Sequence, residues 1–255
     1  MTDVHSMTLE QLSGIHGSDK LAQGYVWYYD LLFRALKDQP VAVLEIGIGG
    51  HNVPNKGGES LRLWRDYFPN GQIYGLDIQD KGFLDEERVT TFCCSQVDTQ
   101  ALDEVVAITG PLDIVIDDGS HFNEHQLGSY RHLFHHVKPG GYYVIEDVDS
   151  AYHLAFGGDP SLQSRTTVVE HFRERVHYVN SRCILDEYID RSALENEIEA
   201  IIFGHALIIL RKALAPKPLV VTNVVRTAMM EWDEYQALSH KTEAGYFDYL
   251  NNPPS

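Results

Sequence analysis

From residue 41 onward the chain alternates short apolar runs with segments of helical periodicity. Residues 41–46, 72–76, 89–93, 112–116 and 142–145 read as strands. Residues 59–67, 100–108, 123–136 and 167–178 read as helices between and after them. The runs at 112–116 and 142–145 are apolar at nearly every position, the pattern of parallel strands buried on both faces. Pro139-Gly140-Gly141 reads as a turn. Two further apolar runs, 199–203 and 206–210, flank Gly204-His205 and predict a β-hairpin. Five β-α units followed by a hairpin describe an α/β fold, a doubly wound seven-stranded sheet with an antiparallel terminal hairpin. Before it, residues 8–38 look helical, broken at His16-Gly17-Ser18-Asp19-Lys20. The expected organisation is a helical segment over 1–40, a candidate lid, then the α/β domain over 41–213. Residues 214–255 carry Pro216, Pro218, Pro253 and Pro254 and read as a tail or oligomer contact.

Bulk properties narrow the classes of function. A chain of 255 residues suffices for one large domain. The formal net charge of −17 and the lack of a Lys/Arg run speak against nucleic acid and anionic membranes as partners. The three cysteines form no CxxC, as in a reduced intracellular protein. No signal pattern opens the chain and no apolar run reaches membrane-span length, so the expected location is cytoplasmic.

The chemistry gathers where strands end. In open parallel sheets, ligands bind just beyond the carboxyl ends of the strands. Leu44-Glu45-Ile46-Gly47-Ile48-Gly49-Gly50 closes the first strand. Gly47 and Gly49 allow a tight turn and close backbone approach to a ligand. The dinucleotide pattern GxGxxG would need glycine where Asn52 stands. The shorter form suits S-adenosylmethionine, whose aminoacyl tail needs such an approach. Asp77 ends the second strand, where a carboxylate accepts hydrogen bonds from ribose hydroxyls. Asp98 follows the third strand, where an adenine or ribose edge would lie. Asp117 and Asp118 end the fourth, and Glu146 and Asp147 the fifth. Asp118 and Glu146 are 28 positions apart, one strand–helix–strand unit. Carboxylates on neighbouring strand ends suit Mg2+, which takes oxygen ligands and retains waters. His121, three residues after Asp118, is the candidate general base beside that metal. Asp117 is expected to support the rim or the cofactor side. His132, His135 and His136 are expected to cap a helix or face solvent.

The segments LEIGIGG, GGESLRLWRDYFPNGQIYGLDIQDK, SQVD, DIVIDDGSH and GGYYVIEDVDSAYHLAFGG resemble the methyltransferase domain of the mycinamicin/demethylmacrocin-type sugar O-methyltransferases. HGSDK, with Tyr25, Tyr28 and Tyr29, is similar to the segment that precedes that domain. The resemblance covers roughly residues 8–213. It implies a Rossmann-like class I methyltransferase fold, S-adenosylmethionine, Mg2+, a sugar-containing acceptor and a homo-oligomer. It assigns Asp118, Glu146 and Asp147 to the metal and His121 to proton transfer. It places Glu45, Gly47, Asp77, Gln96 and Asp98 around the cofactor. The residues leave three other readings open: a catechol-like small-molecule O-methyltransferase, a nicotinamide-dependent oxidoreductase, and a non-enzymatic cofactor-binding protein.

Overall fold

The computed structural model describes residues 4–184 and 188–215. Its seven strands are β1 (Ala42–Ile46), β2 (Gln72–Asp77), β3 (Val89–Cys93), β4 (Leu112–Asp117), β5 (Val137–Glu146), β6 (Ile198–Gly204) and β7 (Leu207–Lys212). They form one sheet in the order β3-β2-β1-β4-β5-β7-β6. The first five strands run parallel, and β7 pairs antiparallel with both β5 and β6. The chain reverses direction of travel across the sheet between β1 and β4, the switch point at which such sheets bind ligands.

Among the described residues, seven α-helices accompany the sheet: α1 (Leu9–His16), α2 (Tyr25–Phe33), α3 (Glu59–Tyr67), α4 (Thr99–Thr109), α5 (Asn123–Leu133), α6 (Val168–Glu174) and α7 (Val176–Val179). Two buried clusters lie on the two sheet faces. One joins Val43, Ile114 and Val144 to Leu12, Tyr29 and Trp64. The other joins Leu44, Val115 and Tyr143 to Leu102, Tyr130 and Phe172. The alternation along each strand explains the division, because successive side chains point to opposite faces. The N-terminal segment belongs to the first cluster: Leu9, Leu12, Tyr25, Tyr29 and Phe33 are fully buried there. Its helix α1 is set by a capping box, in which Thr8 and Gln11 exchange side-chain and backbone hydrogen bonds.

Three expectations from the sequence need correction. Pro139-Gly140-Gly141 is not a turn but lies inside β5, which starts at Val137. The pairing of β4 with β5 shifts register between Leu112 and Ile114, and Gly140 has φ 82°. A Cβ on Gly141 would stand 2.6 Å from the Asp113 carbonyl oxygen, so glycine is what lets the strands approach through the irregularity. The helix expected over 167–178 is two, because Arg175 at φ −97°, ψ 3° separates α6 from α7. The terminal hairpin is present, with its turn at His205-Ala206 rather than Gly204-His205. Beyond residue 215, the expected C-terminal tail lies outside the described residues.

Candidate active site

Every acidic group singled out above except Asp98 stands on a strand or within two residues of its carboxyl end. In register, Ile46 pairs with Asp117 and Asp117 with Ile145, so Asp118 and Glu146 leave the sheet side by side. Gly47 turns away from β1 at φ 78°, and a Cβ there would meet the Asp118 carbonyl oxygen at 2.1 Å. No residue but glycine fits between the two loops. Above them opens a cavity of about 740 Å³. Gly47, Gly49, Leu76, Asp77, Ile78 and Gln96 line one part of it. Asp118, His121, His125 and Asp147 line another.

The sequence-predicted residues divide into three positions. Gly47, Gly49, Asp77 and Gln96 are in the cavity wall. Asp77 accepts backbone hydrogen bonds from Ile48 (3.2 Å) and Gln79 (2.8 Å), which fix its carboxylate at the rim. Gln96 donates to Asp117 (3.0 Å) and accepts from the Ser120 amide (2.8 Å), tying the β3 loop to the β4 loop. Asp117 and Glu45 lie behind the wall, fully buried. Asp117 takes hydrogen bonds from Gln96, Ser129 and the Gly119 amide. Glu45 accepts from Trp64 Nε1 at 3.1 Å. Asp98 is elsewhere: it is the N-cap of α4, accepting from the Ala101 amide at 3.1 Å, and it is not in the cavity wall.

The metal-type residues are brought together unequally. One ligand atom each from Asp118, His121 and Asp147 lies within 4.8 Å of the others. His121 Nε2 is 3.6 Å from Asp147 Oδ2. Both residues hold left-handed backbone, His121 at φ 58° and Asp147 at φ 52°. Such conformations cost about 1–3 kcal/mol each in non-glycine residues and cluster at functional sites. Here they aim an imidazole and a carboxylate at one point. The third acid, Glu146, is turned inward and is only 2% exposed.

What sequence reasoning missed is the partner of Glu146. Lys20, from the HGSDK segment, is fully buried beneath the site. Its ammonium lies 2.8 Å from Glu146, 2.9 Å from Glu45 and 3.1 Å from Asp118. Tyr29 donates a further hydrogen bond to Glu146, and Tyr25 donates to Asp147 at 2.7 Å. Burial alone would lower the Lys20 pKa; Asp118, Glu146 and Glu45 outweigh it and raise it well above its ordinary value. The carboxyl groups of Glu45, Asp118 and Glu146 are themselves pushed up, chiefly by burial. Three carboxyl groups, Glu45 and Glu146 buried and Asp118 at the cavity wall, thus share one ammonium. The one signal for Lys20 in the sequence was the HGSDK segment itself. Its partners stand 25, 98 and 126 positions away, beyond any local pattern.

No family model matches the chain. Among individual proteins, it is 49% identical over 157 residues to demethylmacrocin O-methyltransferase of Streptomyces fradiae, covering 62% of this chain and 39% of that protein. It is 52% identical over 143 residues to mycinamicin VI 2''-O-methyltransferase of Micromonospora griseorubida, covering 55% and 36%. Over more than half of its length the chain is thus similar to proteins named as sugar O-methyltransferases. It also superimposes on MycE, a methyltransferase from the mycinamycin biosynthetic pathway solved with Mg and SAH, at TM-score 0.78 and 38% identity. That match covers 81% of this chain and 55% of MycE. The fold is therefore the class I methyltransferase fold. The chain spans less than half the length of the two curated relatives.

Proposed function

We propose that this chain transfers a methyl group from S-adenosylmethionine to a sugar hydroxyl, with Mg2+ at the rim of the cavity. The observation that carries the reading is the convergence of Asp118, His121 and Asp147 on one point of the cavity wall. MycE was solved with Mg and SAH and also with Mg, SAH and mycinamycin VI, which supports the same cofactors and acceptor class here.

The residues present fit both groups. Two carboxylates offer the hard oxygens that Mg2+ requires. Asp118 and Asp147, both partly exposed at the cavity wall, are the acids a dication would reach. Asp118 and Asp147 would hold the metal from the cavity side. Glu146 would join them only by sharing its oxygens with Lys20 and Tyr29. On the cofactor side, each Asp77 oxygen accepts one backbone hydrogen bond and keeps a lone pair for a ribose hydroxyl. Ile78, 65% exposed at the cavity wall, offers an apolar face to an adenine ring.

When bound, Mg2+ would lower the pKa of a hydroxyl that it ligates by several units. His121 Nε2, facing the Asp147 carboxylate, then accepts the hydroxyl proton. The O–C bond forms as the S–C bond breaks, with that electron pair left on sulfur. Asp147, 3.6 Å from His121 Nε2, stabilises the charge on the ring after the transfer, besides the place it would take at the metal. Tyr25, hydrogen-bonded to Asp147, fixes the carboxylate for both tasks. Gly47 keeps the β1 loop close enough to the β4 loop for methyl donor and acceptor to meet over Asp118.

An acceptor screen tests this proposal. Purified protein, Mg2+ and S-adenosylmethionine labelled in its methyl group are offered deoxyhexose glycosides, oligosaccharides and catechols. Label transferred to a glycoside hydroxyl supports the reading. Label on catechols alone replaces it with the small-molecule alternative.

A further inference from the structure

A second group of metal-type ligands lies outside the cavity, between α4 and α5. Asp103 stands in the second turn of α4. His132 is near the end of α5, and His136 closes the 3-10 turn Phe134–His136 that follows. A spacing of four residues on continuous helical backbone puts two side chains on one face. His132 Nε2 is 2.9 Å from Asp103 Oδ1, and the His132 and His136 rings are 6.1 Å apart. One ligand atom from each of the three residues lies within 4.8 Å of the others. None of them lines the cavity.

The donor set differs from that of the first site. Two imidazoles with one carboxylate suit borderline transition-metal dications rather than Mg2+. An imidazole ligates in its neutral form, and burial, reinforced by His132, holds His136 below its ordinary pKa. Three protein ligands leave one tetrahedral position for water. His135 is not part of the group, since its Nδ1 faces Glu197 at 3.7 Å.

We propose that Asp103, His132 and His136 form a second metal site, which takes a transition-metal dication such as Zn2+ or Cu2+ and clamps α4 to α5. The site is independent of the methyl-transfer reading, and either can fail without the other.

The test is calorimetric titration of the full chain with Zn2+ in saturating Mg2+, paired with Cu2+ electron paramagnetic resonance. Wild type, His135→Gln and His121→Ala should each bind at this site, with two nitrogens coupled to Cu2+. His132→Gln and His136→Gln should each weaken Zn2+ binding by about 10-fold or more, since even groups that only orient a ligand cost that much. Zn2+ should also raise the unfolding midpoint of wild type and leave that of His136→Gln unmoved. Equal Zn2+ affinity in wild type, His132→Gln and His136→Gln overturns the site. So does a copper signal that disappears only in His121→Ala. An unmoved wild-type midpoint at saturating Zn2+ overturns the clamp. If His132→Gln fails to fold, His136→Gln gives the same reading.

Discussion

Lys20→Met removes the single ammonium shared by Glu45, Asp118 and Glu146 while keeping most of the side-chain volume. All three distances lie between 2.8 and 3.1 Å, and the lysine is fully buried. Removing one partner of a buried ion pair costs about 3–5 kcal/mol, because the other partner is left charged without compensation. For a domain of this size each kcal/mol moves the unfolding midpoint by about 2–4 °C, so a fall on the order of 10 °C is expected in metal-free buffer. Differential scanning calorimetry at pH 7 reads it directly. A second, more specific expectation concerns the metal. A dication at the rim supplies part of the positive charge that Lys20 no longer provides, so saturating Mg2+ should raise the midpoint of the variant more than that of wild type. A variant within about 2 °C of wild type would refute the shared-ammonium description. A large fall that Mg2+ repairs no better than in wild type would refute the electrostatic link between Lys20 and the metal.

Other expectations follow from the same geometry. His121→Ala should lower kcat by about 10²-fold or more with S-adenosylhomocysteine affinity unchanged in calorimetry, and undiminished turnover would remove His121 from proton transfer. Gly47→Ala should be destabilised and lose cofactor affinity, because its Cβ would stand 2.1 Å from the Asp118 carbonyl oxygen; a variant with wild-type melting and affinity would contradict that packing. Acid should destabilise the fold through His171, whose Nε2 donates to Glu195 at 3.0 Å and which burial holds below its ordinary pKa. The unfolded chain then takes up the proton first, so stability falls as pH drops below about 6.5. His171→Gln should flatten that part of the profile in urea titrations, and an identical slope would rule the contribution out.

Much of the site was legible because its residues are local to strand ends. Apolar runs that stop at carboxylates identify the parallel sheet and the rim where the cavity opens, and of the order read along the strands, Gly47, Gly49, Asp77, Asp98 and Asp117, the first three line that cavity. Four features were not legible, for differing physical reasons. Lys20 pairs with groups on β1, β4 and β5, so only the folded topology shows that a lysine between two short helical segments is buried. Gly140 and Gly141 carry the usual mark of a turn, yet here their lack of a side chain serves strand contact. Asp98 matches a cofactor contact by position along the chain, but Asp98-Thr99-Gln100 at the start of a helix is equally an N-cap, and the structure uses it so. The pairing of His132 and His136 with Asp103 was hidden likewise, since the carboxylate comes from the preceding helix.

The claim at the centre of this account is that Asp118 and Asp147 hold a dication needed for methyl transfer to a sugar. The direct measurement is the initial rate of labelled-methyl transfer to a glycoside acceptor, in excess chelator and then across a Mg2+ titration, for wild type and Asp118→Asn. The account predicts no transfer by wild type in chelator, saturable recovery with Mg2+, and recovery in Asp118→Asn only at much higher Mg2+. Full activity in excess chelator, or the same Mg2+ dependence in both proteins, would contradict it.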